Sequence, residues 1–389
     1  MRIHSISVTK LFGIFDHVIP LNMKERITII HGLNGYGKTV ILRMIRGLLC
    51  GDYEPLKVVP FAAFEIRFDD GSLLRVEKIG EGSGQGLNGE LGRHRIVYSG
   101  KKEPGSQREL VGDLSASPPW SGIAILPDWL RALQQSISVE LIETQRLSVP
   151  KILHDSGPVV ERYARDLAVR IGIALTDYAA RSQELDRTFP GRLLLKTEMS
   201  PLSVEELRSK LGELDKQRTR LGTLGFLDAW GSLADIPQAI EPSKIDVLTI
   251  YVRDMEEKLR NFDDLAARVE LFTTILNDRF SYKRVSIHRD KGFVFAGAHG
   301  EPLPLAALSS GEQHEVVLLY DLLFLASPDS LILIDEPEIS LHVTWQQEFV
   351  NDLEKVVKLS GIDVLIATHS PEIIGEHWDW TVALKGPAT

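Results

Sequence analysis

The sequence predicts an α/β fold: a mixed, mostly parallel sheet flanked by helices and interrupted by an inserted helical arm. Three observations predict it. The runs "ITII", "LILI" and "DVLIA" are apolar without alternation, as strands buried on both faces require. The first two are each followed by a segment with apolar residues at helical spacing. Between those two strands lies a long stretch whose apolar period is near 3.5, the period of helices packed along one seam.

The elements follow in order. "RITIIHG" is a short strand ending on Gly32, and "KTVILRMIRGLL" continues as a helix. Cys50 ends that helix and is expected to be a small buried apolar residue. "FAAFEIRF" and "SLLRVEKI" read as two strands around the turn "DDG". Residues 80–105 carry eight glycines and read as a flexible loop or partly disordered insert. This strand-rich zone, 1–150, is the expected N-terminal part of the sheet domain.

From 151 to 280 the period changes. Val160, Ala164, Leu167, Ile171, Ala174 and Tyr178 form one seam, and Val204, Leu207, Leu211 and Leu214 a second. A third runs from Ile245 through Val252, Leu259 and Phe262 to Val269. It predicts one helix over roughly 243–280, about 55 Å long at about 1.5 Å per residue. Pro190, Gly191, Pro201, Pro237 and Pro242 are the expected breaks between helices. Over 281–389 strands return: a hairpin, "RVSIHR" and "GFVFAG", around Asp290-Lys291, then a helix from about Gly311. "LILIDE", a helix from Val343 and the strand "DVLIAT" complete the sheet.

Composition narrows the class. A chain of 389 residues holds two average domains, or one large domain with an insertion. Its 43% hydrophobic and 25% charged residues are those of an ordinary globular protein. The richest apolar run, "VVLLYDLLFLA", is broken by Asp321, so no membrane span is expected. "MRIHSISVTKLFGI" lacks the apolar centre of a secretion signal. A single cysteine excludes an intramolecular disulfide and a cysteine metal cluster, and a cytoplasmic location is expected. The net charge of −10 argues against a broadly basic surface that coats nucleic acid, and leaves a local groove open.

The chemistry begins at Gly32-x-x-x-x-Gly37-Lys38-Thr39, set between strand and helix. Gly32, Gly35 and Gly37 let the backbone turn so that successive N–H groups face phosphate oxygens, with Asn34 inside the same loop. Lys38 would neutralise the β- and γ-phosphates, and Thr39 would offer its hydroxyl to Mg²⁺. The helix N-terminus adds a partial positive charge. This is the P-loop of a nucleoside triphosphatase, so ATP and Mg²⁺ are the expected ligands. Its acidic partner is "LILIDEPE": Asp335 at the end of a buried strand would hold Mg²⁺, and Glu336 would polarise the attacking water.

"LSSGEQHEVVLLYDLLFL", from Leu308, resembles the ABC ATPase signature. Ser309, Ser310, Gly311 and Glu312 stand at the start of an apolar helix, whose hydroxyls and free backbone N–H groups suit an anion. Helix N-capping by a serine is the plainer use of the same residues. By the resemblance, these residues bind the γ-phosphate held by a second subunit. "LIATHSPEII" puts His369 where that family has a switch histidine, and "EISLHVTWQQ" stands in the place of its D-loop. "VELIETQRL" places Gln145 at a strand end, like the Q-loop glutamine that reaches Mg²⁺ and water. Where many ABC proteins have Asp at the end of the D-loop, this chain has His342, which argues against the transporter branch.

Lys38 and Leu308 are 270 residues apart, with the arm between them, a layout similar to the RecF, Rad50 and SMC branch. "IDEPEISLH" followed by "WQ", with "THSPEII", "LIETQRL" and "LDRTFPGRLL", resembles the OLD, AAA15 and AAA21 groups. These include ATPase subunits of the anti-phage systems Septu and PARIS and of retrons. The resemblance implies a homo-oligomer built on a head-to-tail dimer that sandwiches ATP, with Lys38, Glu336, His369 and Gln145 catalytic. It also implies control of a separate effector, a Toprim, HNH or other nuclease or toxin. Twenty residues follow His369, too few for a nuclease domain, so any toxic activity is expected on another chain. The alternative is a RecF-like ATPase that acts on DNA directly.

Overall fold

The structure, a computed structural model, describes residues 1–78, 94–100, 107–112, 127–143, 158–194, 200–228 and 241–387. Along the chain the elements are β1 (Ile3–Leu11), β2 (Phe15–Pro20), β3 (Ile27–His31), α1 (Lys38–Cys50), α2 (Glu54–Val58), β4 (Ala63–Phe68) and β5 (Leu73–Lys78). There follow β6 (His94–Ser99), β7 (Gln107–Gly112), α3 (Asp128–Ser136) and β8 (Val139–Ile142). The helices α4 (Val159–Leu194), α5 (Val204–Thr223), α6 (Ile245–Arg260) and α7 (Asp263–Arg279) come next. Then come β9 (Lys283–His288), β10 (Gly292–Gly297), β11 (Pro302–Leu303) and α8 (Ser310–Tyr320). The chain closes with β12 (Leu331–Asp335), α9 (Val343–Ser360), β13 (Asp363–Thr368), α10 (Pro371–Ile374) and β14 (Thr381–Ala383).

Two compact units emerge: Met1–Ser148 with Asp321–Thr389, and Val149–Tyr320. The first contains two sheets. One is antiparallel, in the order β2-β1-β4-β5-β6-β7; the other is parallel throughout, in the order β14-β3-β13-β12-β8. Every residue of β12 and of β13 is buried, as the unbroken apolar runs require. The helix α1 packs on β8, β12 and β13 through Ile41, Leu42, Ile45 and Leu48. The register decides where the loops emerge. His31 pairs with Thr368 and Asp335 with Ala367, so β3, β12 and β13 end level with one another. The three loops leaving them therefore open on one edge of the sheet, where open parallel sheets hold ligands.

Two expectations are corrected here. Cys50 ends α1 as read, but it is exposed. Leu48 and Leu49 fill the buried arc at that point, and the next residue, about 100° further round, faces out. Within the glycine-rich stretch, residues 94–99 form a strand: His94 pairs with Lys78 and Ser99 with Leu73, and Ile96 is fully buried. Residues 79–93 and 101–106 lie outside the described residues.

The second unit holds α4 to α8 and the sheet β11-β10-β9, whose β9–β10 hairpin turns at Asp290-Lys291 as expected. Residues 281–320, assigned from sequence to the C-terminal part of the sheet domain, pack in this unit: β10 lies on α4, β9 on α7, and α8 on α4 and α7. Val160, Ala164, Leu167 and Ile171 are buried along α4, while Ala174 and Tyr178 are only half-buried.

Pro190 does not break a helix; α4 runs through it for 36 residues. A proline in a helix removes one backbone donor and crowds the preceding turn. The carbonyl that loses its helical donor is that of Asp186. In the turn before it the Thr188 hydroxyl donates to the Glu184 and Leu185 carbonyls and the Arg192 guanidinium to that of Leu185, side-chain bonds that brace the helix on the N-terminal side of the proline. Arg192 also grips the buried Asp254 of α6 with two hydrogen bonds of 2.5 and 2.7 Å, so tertiary contacts hold the helix past the proline. The single long helix over 243–280 is in fact two, α6 and α7, parted at Asn261-Phe262. Phe262 is fully buried there against Tyr178 and Phe226. Asn261, Asp263 and Asp264 explain the break locally, since Asn and Asp compete with helical bonds and acidic residues suit a helix start.

Candidate nucleotide site

The loop from Gly32 to Gly37 joins β3 to α1. Gly35 and Gly37 have φ of 87° and 90°, a left-handed backbone that favours glycine. At Gly37 a Cβ would also come within 2.5 Å of Leu11 Cδ2, so the strand beneath leaves no room for a side chain. Lys38 is buried, and its Nζ donates to the carbonyl oxygens of Gly32 (2.8 Å) and Leu33 (3.4 Å). The ammonium thus lies along the loop whose N–H groups would cradle phosphate. A cavity of about 260 Å³ opens here, lined by Phe12, Asn34, Lys38, Thr39 and Glu336 among others. A second, of about 470 Å³, lies against Gly32, Leu33, Asn34, His369 and Trp378.

Thr39 and Asp335 meet at the base. The Thr39 hydroxyl donates to Asp335 Oδ1 at 3.0 Å. Burial pushes the Asp335 carboxyl above the usual carboxylate range and Glu336 pushes it further, against the hydrogen bond from Thr39. A buried carboxylate beside a hydroxyl, short of positive charge, is a donor set that fits a hard divalent cation such as Mg²⁺. Among the described residues no group of three or more His, Cys, Asp and Glu could hold a metal. Mg²⁺ with few protein ligands takes the remainder of its shell from phosphate and water.

Glu336 follows β12 with φ 44° and ψ 60°, a left-handed conformation costly for a non-glycine residue. Its N–H donates to the Ala367 carbonyl at 2.8 Å, tying it to β13. His369, just past β13, has its Nδ1 3.7 Å from Glu336 Oε1 and 3.1 Å from Glu338 Oε1. Lys38, Thr39, Asp335, Glu336 and His369, read from separate motifs, therefore gather at one edge of the parallel sheet. Gln145 lies outside the described residues.

Ser309 to Glu312 belong to the second unit. Ser309 caps α8: its hydroxyl accepts from the Glu312 N–H at 3.3 Å, and Glu312 Oε2 accepts from the Ser309 N–H at 2.7 Å. Lys283 Nζ reaches both Glu312 oxygens, at 2.7 and 2.6 Å. Burial raises the Glu312 carboxyl, but Lys283 and Ser309 outweigh it and hold the group below its ordinary value. Glu312 is thus committed to the cap and to Lys283. Ser310 and Gly311 occupy the first turn, whose N–H groups have no intrahelical acceptor.

Sequence reasoning missed Phe12 and Glu338. Phe12, with φ 54° and 39% exposed, lines the P-loop cavity, and no motif points to it. Glu338 had a signal, the second carboxylate of "DEPE".

A P-loop after β3, with Thr39 against the acidic end of β12, defines a P-loop ATPase domain. The α/β class is as expected from the sequence, with the parallel and antiparallel strands parted into two sheets rather than mixed in one. Residues 224–375 match the family described as "AAA domain, putative AbiEii toxin, Type IV TA system". Among curated proteins, the Retron Ec83 probable ATPase of Escherichia coli is 35% identical over 82 residues, 18% of this chain. The matched stretch spans 15% of that protein's length. Among solved structures, the Smc head domain of Pyrococcus furiosus, bound to the C-terminal domain of ScpA, is 13% identical. It has a TM-score of 0.39, with 99% of this chain and 94% of that one covered. The SMC head domain of Thermotoga maritima is 11% identical with a TM-score of 0.36, at 96% and 91% coverage. Likenesses at these scores add nothing to the fold described from the chain itself.

Proposed function

We propose that this protein binds and hydrolyses Mg·ATP between two head-to-tail copies in the cytoplasm, and that its nucleotide state controls a separate effector in anti-phage defence. The observation that carries the hydrolytic reading is the convergence of Lys38, Thr39, Asp335, Glu336 and His369 on one sheet edge. Lys38 would bind the β- and γ-phosphates, and Thr39 and Asp335 would hold the Mg²⁺, which would supply positive charge to the phosphates. Glu336 orients the attacking water and takes up its proton. His369 faces the γ-phosphate. Gln145, outside the described residues, is the further metal ligand in this proposal.

Two features support a partner copy. Leu33 in the P-loop and Ile339 just after Glu336 are 70% and 62% exposed, large apolar side chains flanking the reaction edge. Ser310 and Gly311 present an anion-binding helix start. The effector role is supported by the match of residues 224–375 and by the likeness to a retron ATPase. The effector is a nuclease or toxin on another chain.

The test is phosphate release with Mg·ATP, alongside solution mass by light scattering. Glu336→Gln is expected to lower turnover on the order of 10²- to 10⁴-fold and to accumulate ATP-bound dimers. Full turnover in that variant, or a species that stays monomeric with ATP, refutes the reading.

A further inference from the structure

Glu338 lies in the single 3₁₀ turn, Pro337–Ser340, that follows the catalytic loop, and its side chain is 7% exposed. Its Oε1 accepts from the Thr368 hydroxyl at 2.8 Å and from the His369 backbone N–H at 3.0 Å. The same oxygen lies at ion-pair distance, 3.1 Å, from His369 Nδ1. Its other oxygen, Oε2, is buried with no hydrogen-bond partner among the described residues. A buried carboxylate with half its acceptor capacity unused is costly, and a fold keeps one where its charge serves a purpose.

A second side chain ties the same two loops. Gln346, on α9, donates through Nε2 to the carbonyl oxygens of Glu338 and Leu341, both at 3.1 Å. Its Oε1 accepts from the Ser370 hydroxyl at 3.2 Å, and the Ser370 N–H donates to Thr368 Oγ1 at 3.0 Å. The loop after β12 and the loop after β13 are thereby bound through two side chains, one charged and one neutral.

We infer that Glu338, braced by Gln346, is a positioning residue that fixes His369 and moves it together with the loop carrying Glu336. The inference rests on the hydrolytic reading above. The carboxylate faces Nδ1, which places the imidazole proton on that nitrogen and leaves Nε2 to meet the nucleotide. A shift of His369 on meeting a γ-phosphate is then passed to residues 336–341 through these bonds rather than absorbed in the loop.

The experiment compares the full chain with Glu338→Ala, Glu338→Gln and Gln346→Ala. It measures kcat and KM for ATP by phosphate release, and the imidazole ¹⁵N resonances of His369, assigned with His369→Gln. Both Glu338 variants are expected to lose kcat on the order of ten- to a hundredfold while KM stays within about twofold. Gln346→Ala should lie between them and wild type, and the His369 nitrogens should shift in Glu338→Ala. Turnover within about twofold of wild type, a loss confined to KM, or unmoved His369 resonances overturns the inference. If wild type releases no phosphate, the hydrolytic reading falls, and the resonances still decide whether Glu338 holds the ring. If Glu338→Ala fails to fold, the isosteric Glu338→Gln carries the comparison.

Discussion

Asp335→Asn is expected to have opposite effects on the free and the nucleotide-bound protein. In the free protein Asp335 is a buried carboxylate, 7% exposed, whose ionisation is disfavoured first by burial and then by Glu336. Its folded pKa lies above its unfolded value of 3.8, so the folded state binds the extra proton. The penalty is absent below that unfolded value and grows as pH rises through the folded one. Asparagine keeps the acceptor for the Thr39 hydroxyl and removes the charge. The free variant should therefore melt at or above wild type at pH 7, and the two should converge as pH falls toward 4. With Mg·ATP the order reverses. At about a hundred times Kd a ligand stabilises by about 2.7 kcal/mol, which raises Tm by roughly 5–10 °C for a unit of this size. If loss of the metal's carboxylate weakens binding about a hundredfold, the variant gains only about 0.4 kcal/mol, or about 1 °C. Scanning calorimetry with and without Mg·ATP reads both. An equal Mg·ATP shift in the two proteins, or a free variant that melts lower at pH 7, refutes the placement of the metal at Thr39 and Asp335.

Two further predictions concern the helical unit. Pro190→Ala should restore a helical backbone donor where α4 already continues, and stabilise by about 1–3 kcal/mol, read as a raised urea midpoint at unchanged slope. A lowered midpoint would mean that the helix needs the proline. Phe262→Ala removes a fully buried ring that contacts Tyr178 and Phe226 at the α6–α7 junction, and should cost about 3–5 kcal/mol. A cost below about 1 kcal/mol would show that the junction is not a packing centre.

Local sequence carried the phosphate loop because its demands are local. Gly35 and Gly37 stand where the backbone is left-handed, and Lys38 and Thr39 follow at the helix start. The buried strands were equally plain, since β12 and β13 meet protein on both faces and admit no alternation. Pro190 and the run from Ile245 to Val269 misled for one shared reason. A periodic pattern records which side faces the core, and says nothing of a helix held past a proline by Arg192 and Asp254. Nor does it reveal a turn that buries Phe262 without losing step. Glu338 escaped because its neighbours, Thr368 and His369, are 30 and 31 residues away.

The residues alone determined the glycine turn between β3 and α1 and which strands would be buried, because both follow from backbone geometry and hydrophobicity within a few positions. Only the tertiary structure decided that Thr39 touches Asp335 across 296 residues and that Glu338 lies between β12 and β13 beside His369. Strand register brings those ends level, and register arises from the pairing of whole strands, which no short segment encodes.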